Sequence, residues 1–302
     1  MGLPILGPTL YFRPVVHAQK GFGLTLIIWL FVIIFKKYLQ QHFVPNRAFN
    51  EFPTLAMLKR LINVMPQLPD FSLPLYFLLL TLVMFLVVAG RYFLIAAIFH
   101  VSFFVVGKNK FANRRLGKKP LDKKQFYTEV KWSLVTSLLF AVAGALTTIL
   151  WQKGYTRIYI DVKQYPLWYL PVSLVISMLV HETYYYWLHR WMHKPKVFKI
   201  LHKVHHDSNT TSPWTAFSFH PLEGFLQAII LPLTIMVIPM HIYVLLFQLT
   251  IMTFSSVINH LEIEVYPKNF HKHLLGKWLI GATHHSLHHK QFKYNFGLYF
   301  TF

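Results

Sequence analysis

The sequence predicts an all-α, polytopic membrane protein whose transmembrane helices and hairpins carry a cytoplasmic, helical, histidine-rich metal-binding cap. Three observations carry that expectation. The first is apolar content: 55% of the 302 residues are hydrophobic, 17% are aromatic, 13% are charged, and mean hydropathy is +0.42. Disordered chains and soluble globules do not have this composition. The second is a lopsided charge, 30 Lys and Arg against 10 Asp and Glu, for a formal +20. Alone it would suit nucleic acid; with long apolar runs between the cations a membrane explains it better, and no nucleic-acid partner is expected. The third is histidine, because 15 of the 18 lie between His181 and His289. Cysteine is absent, which excludes disulfides, thiolate-ligated zinc, iron–sulfur clusters and a thiolate nucleophile.

The order of elements divides the chain at 164. Residues 1–164 read as N-terminal membrane helices with a basic cytoplasmic loop, and 165–302 as the region that carries the chemistry. The first apolar run, 21–35, lies between Lys20 and Lys36. It is not a signal peptide, since basic residues follow it and no small-residue cleavage site does, and Leu6 stands where myristoylation needs Ser or Thr. Residues 71–107 hold one full charge, Arg91, beside Gly90. As one helix they would reach about 55 Å, so a hairpin turning near Gly90 is expected to fit a bilayer core of about 30 Å better, with one long tilted helix as the alternative. Residues 108–131 contain nine Lys and Arg against Asp122 and Glu129, which marks a cytoplasmic loop. Residues 133–151 then cross outward and 165–180 cross back, so His181 begins on the cytoplasmic side. The apolar run 225–254 is broken at Pro232 and Pro239. A hairpin of two short arms keeps the histidines before and after it on one side.

The histidines fall into boxes. His181, His189 and His193 share one helical face, at about 0°, 80° and 120° of rotation, and His189 with His193 at i, i+4 is spaced to hold one metal. After Pro195, His202, His205 and His206 form H-x-x-H-H, and the same pattern recurs at His285, His288 and His289. Neutral imidazoles stacked this way gain little from each other and protonated ones repel, so metal binding is the reading of the boxes. Lone histidines such as His100 and His241 read as hydrogen-bonded or interfacial side chains, and His284 as a neighbour of the site outside its ligand set. Imidazole suits iron, zinc, copper and nickel alike. The residues do exclude some architectures: E-x-x-H occurs nowhere, which removes the carboxylate-bridged di-iron helix bundle, and H-E-x-x-H is also absent. One zinc takes four ligands and one haem two, so this many histidines ask for two metals.

The motifs H-E-x-x-x-Y-W-x-H-R-x-x-H at 181–193, H-x-x-H-H at 202–206 and T-H-H-S-L-H-H at 283–289 resemble those of the fatty acid hydroxylase/sterol desaturase superfamily of membrane-bound, non-haem di-iron enzymes. Ser212-Pro213, Phe219-His220-Pro221, Gly224 and Gln227 resemble the S-P…F-H-P-x-x-G-x-x-Q stretch of its sterol C-5 desaturase branch. The resemblance covers about 165–302. It implies two iron ions, with His189, His193, His202, His205, His206, His285, His288 and His289 as ligands, His260 as a further one after the membrane hairpin, and His181 as an additional ligand candidate. Some members carry another histidine where this chain has Glu264. Members also commonly continue past the equivalent of Phe302 into a W-D-x-x-x-G-T-like tail, which this sequence does not include.

The same resemblance implies an oxidoreductase that uses O2 and two electrons on an unactivated C–H bond of a bilayer-resident sterol or fatty-acyl lipid, giving an alcohol or an alkene according to how the substrate is held. Glu182 and, with it, Asp207 are expected to orient ligating imidazoles, and His220 takes a functional role from its motif. Tyr185 and Tyr186 read as interfacial anchors. With no haem or flavin segment visible, electrons are expected from a separate cytochrome b5-like or ferredoxin-like carrier. The basic loop suits such an acidic carrier and lipid headgroups equally. The rival reading is a histidine-rich membrane metal transporter, whose ligands should line a path at membrane depth; here they gather where the helices exit.

Overall fold

Among the described residues, five helices longer than fifteen residues define the architecture, and their apolar content explains where each forms. The computed structural model describes residues 69–117 and 122–301, all of them in the unit Ala48–Phe302; the expected segment at 21–35 lies outside the described residues. Helix α1 (Pro74–His100) starts with Pro74 at its first turn, where the missing N–H costs nothing, and runs on through a π-helical turn, Val101–Val106. Helix α2 (Lys123–Gln152) is capped by Asp122, whose carboxylate accepts from the Gln125 N–H. Helix α3 is Tyr169–Met192. The short α4 (Pro195–Val197), a π-helical turn (Phe198–His202) and α5 (Lys203–His206) follow it. Helix α6 (Pro221–Val237) is joined by a turn to helix α7 (Ile242–Asn259), and α8 (Ala282–Gln291) carries the last histidines.

Among the described residues, three segments are long and apolar enough to cross a membrane: Pro74–Val106, Lys123–Gln152 and Ile242–Asn259. The first is one continuous helix and not the expected hairpin. A single interior glycine costs roughly 1 kcal/mol relative to alanine, too little to break a leucine-rich helix that nothing else interrupts. Helix α3 is not among the three, since only its first half is apolar and the second half carries His181, Glu182, His189 and Arg190. The run 225–254 is the expected hairpin: α6 and α7 meet at a turn around Pro239, with Pro232 accommodated inside α6.

The turns place every histidine box at one end of the bundle. At the other end, Gln152 binds the Phe71 N–H and the Pro69 carbonyl, joining the start of α1 to the end of α2. There too strand β1 (Ile158–Tyr159) pairs in parallel with β2 (Met240–His241), tying the α2–α3 connection to the α6–α7 turn. At the cap end the chain leaving α1 pairs with the chain leaving α7. Arg115 bridges Ile263, the Leu116 N–H donates to the Glu262 carbonyl, and Arg114 donates to the carbonyls of Glu264 and Val265.

Between these ends the interior is sealed by a turn from the cap. The 3-10 turn Pro213–Phe217 is wedged among α1, α2 and α7. The Tyr92 hydroxyl donates to the Trp214 carbonyl at 2.7 Å and its ring stacks on Phe217 at 4.9 Å. The buried Glu129 accepts from Gln125, Ser212 and Thr215, and Ser256 donates to the Ala216 carbonyl. A buried carboxylate with this many donors locks the turn, since each hydrogen bond it lost would leave a charge or a hydroxyl unsatisfied.

Candidate metal centre

Nine of the ten histidines expected as ligands converge into two groups. His189, His193, His202, His206 and His288 form one, and His205, His260, His285 and His289 the other; in each, the potential ligand atoms lie within 4.8 Å of one another. The two adjoin, with the His206 and His289 rings stacked at 4.4 Å between centroids. Each H-x-x-H-H box is shared between groups. Residues at i and i+4 lie about 40° apart on a helix and point to one centre, as His202 with His206 and His285 with His289 do. The residue at i+3 lies about 100° from its i+4 neighbour and turns to the other centre.

The nitrogens facing one another are the strongest indication of a cation. His205 donates from Nδ1 to the Ser218 carbonyl at 3.2 Å, and His260 from Nδ1 to the Ser256 carbonyl at 2.7 Å. A carbonyl only accepts, so in the neutral ring Nε2 keeps its lone pair. These two Nε2 atoms are nevertheless 3.1 Å apart, and the His260 Nε2 is also 2.9 Å from that of His285. In the other group His189 donates from Nδ1 to the Phe296 carbonyl and His202 to the Glu223 carboxylate, both at 2.9 Å, and their Nε2 atoms face each other at 3.0 Å. Lone pairs opposed at these distances repel unless a shared cation lies between them, and they fit neutral-imidazole metal sites. His206 and His289, buried, have no hydrogen-bond partner for either ring nitrogen, as unused ligand atoms would.

Protonation would defeat such a site, and the surroundings prevent it. Burial, then neighbouring imidazoles, hold His202, His205, His285 and His289 well below the usual imidazole range. Burial pushes His260 and His288 down to about 4 and the half-buried His193 to about 3.

Three elements hold the rings in register. The sealed turn presents the Ser218 carbonyl to His205. The segment after α8 supplies two more acceptors, since His288 donates from Nδ1 to the Tyr294 carbonyl at 2.7 Å and His189 to Phe296. That segment is clamped by Glu182, whose carboxylate accepts from the backbone N–H groups of Leu298, Tyr299 and Phe300, and by Asn259, which donates to the Leu298 carbonyl. Helix α6 contributes Glu223, fully buried and held by Gln227 at 3.0 Å.

The other residues singled out from sequence have their own places. His181 is buried and stacked parallel to Tyr185 outside both groups. The carboxylate of Glu182 meets backbone amides, not an imidazole. His220 caps α6, its Nδ1 accepting from the Leu222 N–H. Asp207 is exposed and paired with Lys203 at 2.7 Å. Glu264 accepts from Tyr266 and from both the N–H and the hydroxyl of Thr283, which caps the first turn of α8. The Nδ1 of His284 accepts from the Gly281 N–H at that same helix start. His241 donates to the Ile160 carbonyl and accepts from the Tyr243 N–H. Sequence reasoning missed Glu223, whose only signal was its place between His220-Pro221 and Gly224. It also missed the carbonyls of Ser218, Tyr294 and Phe296, which have no side-chain signature.

Residues 174–302 match the family model described as Fatty acid hydroxylase, a stretch that contains both histidine groups. This region is similar to the fatty acid hydroxylase/sterol desaturase superfamily. Within it the resemblance is to the sterol desaturase branch. Human "Lathosterol oxidase" is 30% identical over 185 residues, 59% of this chain and 59% of the relative. A "Delta(7)-sterol 5(6)-desaturase" of Gibberella zeae is 29% identical over 212 residues, 70% of this chain and 56% of the relative. Another from Candida albicans is 29% identical over 216 residues, 70% and 51% respectively. The match thus spans between half and three fifths of these relatives' length. No solved structure matches the chain.

Proposed function

We propose that this chain is an integral membrane oxidoreductase that holds two iron ions in its paired histidine groups and uses O2 and externally supplied electrons to desaturate or hydroxylate a sterol or fatty-acyl lipid at an unactivated C–H bond. The observation that carries this reading is the convergence of nine neutral imidazoles into two adjoining sets, each with a pair of opposed Nε2 lone pairs, His189 with His202 and His205 with His260. Two irons, when bound, supply the one-electron steps and the oxygen activation that side chains cannot. The chain's own part is to preorganise them. Carbonyls at 218, 256, 294 and 296 and the Glu223 carboxylate fix five of the imidazoles, His205, His260, His288, His189 and His202, as the Nδ1–H tautomer with Nε2 free to ligate. Burial of the cluster keeps water from the reacting centre.

The ligand set in this reading is His189, His193, His202, His206 and His288 for one iron and His205, His260, His285 and His289 for the other. Glu182 serves as a positioning residue, acting on His189 through the clamped segment, and His220 enters by capping α6. A lipid substrate is supported by an apolar cavity of about 160 Å³ between α3 and α7. Met178, Ile251, Ser255 and Tyr299 line it, and it reaches Asn259 beside His260. The names of the relatives favour a sterol. Electrons come from a separate cytochrome b5-like or ferredoxin-like carrier, and the basic residues of 108–131 support a cytoplasmic cap.

Lipid profiling of cells with and without the gene tests this function. A product lacking two hydrogens marks desaturation and one gaining an oxygen marks hydroxylation, in either case dependent on O2. Unchanged lipids together with altered metal uptake would instead identify a transporter.

A further inference from the structure

The chain between α7 and α8 is built to hold two leucines out of the protein. Leu274 and Leu275 are 75% and 74% exposed, the highest values among described large apolar residues outside the three membrane-length segments. Trp278 beside them is 46% exposed. Their exposure is enforced by the backbone. Gly276 is buried so closely against the Phe270 carbonyl that a side chain there would collide with it. The N–H groups of His273, Lys277 and Trp278 are satisfied within the loop by Phe270, His273 and Leu275. The C-terminal segment fixes the loop's base, with the Thr301 N–H donating to the Trp278 carbonyl and the Thr301 hydroxyl to that of Lys277. A rigid scaffold of this kind displays the leucines without leaving them room to fold inward.

Charge and position indicate what covers them. From 266 to 278 the loop contains Lys268, Lys272 and Lys277 and no acidic residue, and the three lysines are exposed. The Lys277 ammonium sits 5.2 Å from the Trp278 ring centroid, the pairing of aromatic and cation found where protein meets lipid headgroups. The loop's two bases, Tyr266 on one side and Leu279 with Ile280 on the other, wall the same cavity as Ile251 and Ser255 of α7 and Met178 of α3. Ile251 and Ser255 lie one to two turns inside a segment apolar enough to span a bilayer, so the loop bases sit at a depth where α7 is already within the apolar layer.

We infer that 266–278 is an interfacial anchor, with Leu274, Leu275 and Trp278 inserted into the bilayer surface and Lys268, Lys272 and Lys277 bound to anionic lipid headgroups. Insertion of apolar side chains combined with headgroup attraction is how non-spanning segments bind membranes. The anchor would fix the mouth of the α3–α7 cavity at the membrane surface. It stands on exposure, charge and depth alone, whatever reaction the metal centre performs.

The absence of cysteine permits a direct test, because any introduced cysteine is the sole thiol. Full-length L274C and L275C proteins are spin-labelled and placed in nanodiscs of phosphatidylcholine with phosphatidylglycerol, and accessibility to oxygen and to a water-soluble nickel chelate is measured. L82C on the exposed face of α1 and K196C on the exposed cap serve as lipid and water references. The anchor requires labels at 274 and 275 to prefer oxygen, as at 82. It also requires the immersed population to fall about fivefold for each of K272Q and K277Q, the weight of one lysine near an anionic surface. Labels that behave like the one at 196 overturn the proposal, as do labels shielded from both reagents, which would place the loop against a second copy or another protein. A thermal unfolding midpoint equal to that of the unsubstituted protein confirms that the fold of each variant survives, so a negative result is attributable to the loop itself.

Discussion

A histidine that donates from Nδ1 to a carbonyl has its Nε2 lone pair fixed in direction, and this chain points several such lone pairs at one another. His205 and His288 belong to different groups and are each held by a backbone carbonyl. In the proposed ligand set, replacing either with alanine removes one imidazole from its group. His205→Ala and His288→Ala are each expected to lose iron from their own group and to abolish turnover; full activity in either variant refutes the ligand assignment. Glu223 makes a subtler prediction, because it touches an imidazole through Nδ1 and not at the ligating nitrogen. Glu223→Gln should leave the fold intact and weaken metal affinity or activity about 10- to 100-fold, the usual weight of such supporting partners. Metal titration of the purified variant reads this, and unchanged affinity would mean the His202 orientation is held by packing alone. The convergence of nine of the ten candidate histidines was legible in their spacing. Glu223 was not, because a single carboxylate at the start of a helix looks like any helix-start charge until the fold brings His202 to it.

At the scale of elements, the centre depends on segments far apart in sequence. Helix α3, the α6–α7 hairpin and α8 carry the rings, while the turn before α6 and the segment after α8 carry the carbonyls that orient them. The hairpin was legible because Pro239 marks its turn within an apolar run. The length of α1 was not, since Gly90 and Arg91 look like a break in sequence whereas a helix in lipid tolerates one glycine at small cost. Nor was the clamp visible, since Glu182 lies 116 residues from the Leu298 N–H it binds. Gly297 tests that clamp: a Cβ added there would collide with a Glu182 carboxylate oxygen and with the Phe300 carbonyl. Gly297→Ala is expected to destabilise the protein by about 1–3 kcal/mol, the usual cost of overpacking. It should also release the Phe296 carbonyl from His189, so that one metal group loosens before the membrane helices do. Thermal unfolding together with metal content reads both effects, and an unperturbed melt with full metal retention would show that the clamp can yield.

For the whole molecule, an interior this rich in neutral imidazole makes stability depend on pH with a definite sign. His193, His260 and His288 have folded pKa values of about 3 to 4, whereas an unfolded histidine titrates near 6.5. Below that value the unfolded chain binds more protons than the folded one, so this stabilisation is complete above about pH 6.5 and is lost as pH falls toward about 4. The iron-free protein in detergent should therefore show a Tm that drops steadily across this window. Bound metal should raise the Tm at every pH in the window while being released more readily as pH falls. A flat Tm between pH 7 and 4.5 would show that the imidazoles are not buried neutral in the folded protein.

The most direct measurement on the central claim is the metal content of the full-length protein, purified from cells supplied with iron and examined by elemental analysis, absorption and Mössbauer spectroscopy. The paired histidine groups predict close to two non-haem irons per chain, nitrogen-ligated and without a haem absorption band, falling in His205→Ala and His288→Ala. A single haem, or a chain that binds no iron while its histidine groups are intact, would contradict the account.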